Sequence, residues 1–154
     1  MATANEETMP LQSGGPAAHP QRLRSAAAIF LGFVAVVVLS LGTDQILHML
    51  GVYPPWDEPM HDTGLLVLAL SYRIVYTVIG GAIAAWLAPK APMRHAGILG
   101  LIGLIPGAAG VVAAASMDLG PLWYPIALAL TGLPCCCLGG VLHRVTQKRP
   151  MRMA

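Results

Sequence analysis

Four apolar stretches, separated by short polar connections, occupy most of this chain and constrain what it can fold into. The first carries no charge from Ser25 to Thr43 and continues to about Met49. The second runs from Thr63 to Ala88 and is interrupted once, by Arg73. The third runs from Ala96 to Met117 and the fourth from Leu119 to Leu142, both without a charge. About 20 apolar residues cross a hydrocarbon core near 30 Å thick. Lipid offers no partner to a free backbone N–H or C=O, so such segments cross as helices. Composition removes the alternative of a water-soluble fold. Hydrophobic residues make up 56% of the 154 and charged residues 10%, against roughly 25% charged in a soluble domain. A soluble enzyme, a nucleic-acid binder and a secreted disulfide scaffold are thereby excluded. The expected fold is all-α: a single four-helix transmembrane bundle over residues 23–143, up-down-up-down, with helices at about 25–50, 63–88, 95–117 and 120–143.

Charge placement sets the expected orientation. Arg22 and Arg24 precede the first stretch, Lys90 and Arg94 join the second to the third, and Arg144, Lys148, Arg149 and Arg152 follow the fourth. The other two connections hold Asp57, Glu58, Asp62 and Asp118 and no Lys or Arg. Every basic residue except Arg73 thus falls on one side. The positive-inside rule places that side, with both termini, in the cytoplasm. Tyr53, Trp56, Trp123 and Tyr124 then gather at the outer ends and Trp86 at an inner end, where amphipathic rings favour the headgroup level. The chain is expected to cross its membrane four times, with lipid as the chief partner.

Residues 1–22 read as a disordered cytoplasmic tail and 144–154 as a basic cytoplasmic tail, which attracts anionic lipid and carries the topology signal. Cys135, Cys136 and Cys137 are consecutive, which suits neither a disulfide within a helix nor a C-x-x-C ligand pair. They read as small polarizable packing residues. Pro106 and Pro134 fall inside the third and fourth stretches, where each removes a helix hydrogen bond. Gly97, Gly100, Gly103, Gly107 and Gly110 recur every three or four residues. They are expected to form a strip for close helix packing, within the subunit or between copies.

Arg73 is the residue most suggestive of chemistry. Ten residues into its stretch, it lies roughly 15 Å deep at 1.5 Å per residue. A cation at the bilayer centre costs about 2.5–3.5 kcal/mol to insert, so it has to face protein or water. Asp44 is the expected partner. Ser40, Asp44 and His48 repeat at i, i+4 and i+8 and form one polar stripe on the first helix. Thr43 and Gln45 flank the stripe, and Tyr72, Tyr76 and Thr77 neighbour Arg73. Two readings stand side by side. In one, Asp44 and Arg73 form an interhelical pair that fixes helix register. In the other, Asp44, His48, Arg73, Tyr76 and Ser40 line a small wet pocket that binds an anion or relays protons.

The connection from Tyr53 to Asp62 could be imagined to hold a metal through Asp57, His61 and Asp62, yet no ligand spacing supports it. Asp62 or Thr63 is a candidate N-cap for the second helix. No nucleophile triad, metal motif or phosphate loop occurs, so no catalytic residue, metal or cofactor is assigned.

Gly42-Thr43-Asp44, Gly51-Val52-Tyr53-Pro54-Pro55-Trp56 and Tyr72-Arg73, with Pro92-Met93-Arg94-His95 and Trp123-Tyr124-Pro125, together resemble an uncharacterised family of small four-helix bacterial inner-membrane proteins described as hypothetical. The resemblance covers roughly residues 26–142 and implies the same four-helix fold. It implies no activity. The leading expectation is a non-catalytic membrane protein that packs with itself as a homo-oligomer or serves as an accessory subunit of a membrane complex. The alternative is a small transporter, or proton or anion carrier, that uses the Asp-His-Arg cluster.

Overall fold

A computed structural model of the protein describes residues 18–148. Among these residues there are four α-helices and no strand: α1 (Ala18–Met49), α2 (Thr63–Leu87), α3 (Pro92–Met117) and α4 (Trp123–Lys148). All four are long and apolar enough to cross a membrane.

The helix ends follow local chemistry. The first helix starts at Ala18, so residues 18–22 are helical rather than part of a tail. Gln21, Arg22, Leu23 and Arg24 are good helix formers, and Pro20 is tolerated within the first turn. The rest of the expected N-terminal tail, residues 1–17, lies outside the described residues, as do residues 149–154. At its other end α1 closes with Gly51 at φ +69. The Gly51 amide donates to the His48 carbonyl and the Val52 amide to that of Leu47, a Schellman cap.

Asp62 caps α2, its carboxylate accepting from the Leu65 amide at 2.9 Å. That helix stops before Ala88, which is extended, as a residue preceding a proline prefers. Pro92 opens α3 in the first helical position, three residues before the expected start, where its fixed φ suits a helix and its missing N–H is not needed. The last helix begins at Trp123 rather than 120. The residues before it form a turn in which Gly120 takes φ +139, a conformation that L side chains rarely adopt. It then runs to Lys148, past the expected boundary at 143. Arg144, Gln147 and Lys148 are good helix formers, and cations are favoured at a helix C-terminus.

Small side chains dominate the interior, and Tyr53, Leu66 and Leu99 are the larger residues buried among them. Ala28, Ala69, Ala84, Ala85, Ala96 and Cys136 are buried, and no large side chain is fully enclosed. Most bulky residues lie outside: Phe30, Ile105, Val112 and Leu130 are each more than 60% exposed. This inverts the arrangement of a water-soluble bundle. In lipid, apolar side chains gain nothing by leaving their solvent, and helices associate by close van der Waals approach of small residues. A Cβ on Gly32 of α1 would lie 2.7 Å from the Gly80 carbonyl oxygen of α2. A Cβ on Gly139 of α4 would lie 2.6 Å from the Ala82 amide nitrogen of α2, and Gly81 abuts the Cys136 backbone.

The second helix therefore packs against both α1 and α4, and α3 packs chiefly on α4. The first helix meets α3 where Gly32 approaches Leu99, and its backbone stays apart from that of α4. A cleft is left between α1 on one side and α3 and α4 on the other.

Candidate functional site

The site lies towards the end of the bundle that carries the 50–62 loop and the 118–122 turn, which touch where Gly120 approaches the Met60 carbonyl. Asp44 of α1 is buried there. One carboxylate oxygen, Oδ2, accepts from Nη2 of Arg73 on α2, forming a salt bridge. The other, Oδ1, accepts from the Tyr72 hydroxyl. The Tyr72 oxygen is 3.1 Å from that of Tyr53. Since Tyr72 gives its proton to the carboxylate, Tyr53 donates to Tyr72. The chain of donors is thus directed from the loop through Tyr72 to Asp44. Burial pushes the Tyr53 hydroxyl above its ordinary value near 10, so it stays protonated and able to donate.

Sequence neighbours of the pair divide into separate groups. Tyr76 makes no bond to the carboxylate; its hydroxyl pairs with that of Thr43 at 2.9 Å. His48 turns away to the loop. Its Nδ1 donates to the Pro54 carbonyl at 2.6 Å, and its ring stacks on Trp56 with centroids 3.9 Å apart. The imidazole thereby pins the loop, whose prolines cannot pair through amides of their own. Ser40 is buried one turn below Asp44. Thr77 returns its hydroxyl to the Arg73 carbonyl at 2.7 Å.

Arg73 borders two cavities. One, of about 320 Å³, is a vestibule beneath the loop, lined by Asp44, His48, Tyr53, Asp57, Glu58 and Tyr124 together with Arg73. The other, of about 360 Å³, is the half-open cleft between α1 and α3/α4, where Ser40, Arg73 and Thr77 face a mostly apolar lining. A larger, shallower hollow of about 760 Å³ lies around the loop and Leu65 and does not reach the pair. The Arg73 side chain keeps 28% of its surface exposed and that of Asp44 7%, so the cation sits at a boundary and the anion inside. A guanidinium has five N–H donors. Asp44 takes a hydrogen bond from Nη2, while Nε is buried with no acceptor.

The expected glycine strip splits. Gly100 packs on Leu133 and Gly107 on Ala129, both in α4. Gly97, Gly103 and Gly110 have open space where a side chain would go. The physical reason is that α4 covers one side of α3 while α1 leans on α2, so Gly103 and Gly110 border the cleft instead of another backbone. The three cysteines are free. Cys136 fills the seam with α2, its Sγ 3.9 Å from the Thr77 carbonyl. Among the described residues no three of His, Cys, Asp and Glu come together as a metal site.

Two site residues escaped sequence reasoning. Tyr53 and Tyr124 read as interfacial rings, yet Tyr53 is buried in the cluster and Tyr124 shares the vestibule wall with Arg73. Each directly precedes a proline near a helix boundary. That is the only signal the sequence offered. Comparison of the chain with protein-family models, curated proteins and solved structures found no match.

Proposed function

We propose that this is a non-catalytic membrane protein in which Arg73 and its Asp44 partner form a ligand-binding site, as in a small carrier. The observation that supports this best is the position of Arg73 in the walls of both the vestibule and the cleft, with 28% of its side chain exposed although it is paired with Asp44. A pair that served only to fix register would be closed off on all sides. The orientation taken with this reading is up-down-up-down, with both termini in the cytoplasm of a bacterial cell. Cross-helix pairs such as Gly32 with Gly80 and Asp44 with Arg73 support antiparallel neighbours. The segregation of basic residues supports the orientation. The resemblance to small bacterial inner-membrane proteins fits the same placement.

One experiment addresses the site and the orientation together. In sealed right-side-out vesicles, membrane-impermeant 4-hydroxyphenylglyoxal added outside should modify Arg73, read by mass spectrometry, and spare Arg22, Arg94 and Arg144. An Arg73 that stays unmodified while the bundle is intact would leave the pair as a structural lock.

A second reading, a protein that packs with itself or as an accessory subunit, is favoured by Gly97. That residue borders neither cavity and has open space above it on α3, beside exposed Ile98 and Leu101. Such a surface admits a helix from another subunit. Cross-linking of Gly97→Cys in a background lacking the three native cysteines would detect it.

A further inference from the structure

We propose that the cleft binds an uncharged, single-tailed amphiphile from the bilayer whose head carries carbonyl oxygens, with the head at Arg73 and Ser40 and the tail between α1 and α4. The inference rests on the binding reading above and names the ligand class and its route of entry.

Shape is the first argument. At about 360 Å³ the cleft falls in the range of small-molecule sites, about 300–1,000 Å³. Phe33, Val37 and Leu41 of α1 face Leu128 of α4 across it, and Gly103 and Gly110 widen it on the α3 side. The helices that bound it are long and apolar enough to span a membrane. Its open side therefore meets acyl chains, and an occupant can enter from the lipid without crossing water.

Hydrogen bonding is the second. The cleft's polar lining is confined to one region, where Ser40, Arg73 and Thr77 meet it, and Thr77 is already bonded to backbone. Asp44 takes a hydrogen bond from Nη2 of Arg73, and the guanidinium, with five N–H donors, keeps others to spare on a side chain that is 28% exposed. A guanidinium donor left without an acceptor in a medium without water is costly. A head with acceptor oxygens satisfies it.

Charge decides between an anionic and a neutral head. Arg73 and Asp44 already cancel. An added anion would leave the cluster with a net negative charge at membrane depth, where unpaired charge is strongly disfavoured. The vestibule behind it carries Asp57 and Glu58 and no cation but Arg73, which repels anions further. A carbonyl supplies the acceptor without adding charge. A quinone-type or ester-type head meets that requirement; a fatty acid carboxylate does not.

The test uses the full chain in phosphatidylcholine nanodiscs with three decyl-tailed photoreactive probes that differ only in the head: a benzoquinone, a carboxylate and none. The quinone probe should be captured preferentially, with adducts at Val37, Leu41 and Leu128 that are displaced by unlabelled decyl-benzoquinone. Gly103→Leu, placed where a side chain meets open space, should fold normally and abolish that capture. Arg73→Lys, which keeps the charge and removes the spare guanidinium donors, should weaken capture about tenfold, the scale of one hydrogen bond to a charged group. If Arg73→Lys does not fold, Ser40→Ala provides the same comparison at the head.

Equal capture of the headless probe, preference for the carboxylate, or capture undiminished in Gly103→Leu would each overturn the proposal. Loss of capture with Arg73 still open to 4-hydroxyphenylglyoxal would refute this ligand while leaving the site itself standing. Arg73 closed to that reagent would refute the site.

Discussion

The two halves of the bundle along the membrane normal are built on opposite terms. Towards the termini, α2 is held between α1 and α4 by backbones in near contact: Gly32 on Gly80, Gly81 on Cys136, Gly139 on Ala82. No charged side chain takes part. Towards the loop α1 stands apart from α3 and α4, and hydroxyls, a carboxylate and a guanidinium join it to α2 beside a vestibule and a cleft. The difference teaches how a small chain can hold a polar centre in lipid. The close-packed half fixes α2 so that Arg73 is presented to Asp44, and on the loop side Tyr53, Leu66 and Ala69 are buried around the pair.

The comparison breaks first at the pair. Arg73→Leu leaves Asp44 buried without its cation and should destabilise the fold by about 3–5 kcal/mol, measured by equilibrium unfolding in mixed micelles. Gly139→Val should come next. Its side chain would meet the Val78 carbonyl and the Ala82 amide, backbone atoms that cannot turn aside, and overpacking of this kind costs about 1–3 kcal/mol or more. Tyr72→Phe should cost less, about 1–2 kcal/mol, because Arg73 still holds the carboxylate. It should also free the Tyr53 hydroxyl, read as faster proteolysis of the 50–62 loop. The smallest effect belongs to Gly103→Ala. With open space for its methyl, it should change stability by less than about 1 kcal/mol, and favourably, since alanine is the better helix former. A large loss at Gly103 or none at Gly139 would reverse the contrast between the two halves.

The sequence carried the fold clearly, because bilayer thickness fixes how long an apolar run must be, and four such runs are visible by inspection. It also pointed to Asp44 as the partner of Arg73, because a cation in lipid needs company and few candidates exist. What it could not convey was helix rotation. Spacing of three and four puts Gly97 to Gly110 along one side of α3, but only the placement of neighbours decides that Gly100 and Gly107 meet α4 while Gly103 borders space. The same limit hid His48. Its spacing from Asp44 placed it in the stripe, yet the Schellman turn at Gly51 brings Pro54 and Trp56 back over it, and a loop contact wins the imidazole. Tyr53 was misassigned for a related reason. A tyrosine near a helix end suits the headgroup region by chemistry alone, and only the returning loop takes it inside.

The central claim is that Asp44 and Arg73 are bound to each other within the bundle, with neither facing lipid. A double-mutant cycle with Asp44→Asn and Arg73→Gln, read by unfolding in the same micelles, tests it directly. If the two charges meet, the coupling is about 1–2 kcal/mol, the double variant being more stable than the sum of the single losses allows. Losses that add to within about 0.3–0.5 kcal/mol would mean that the two charges do not meet.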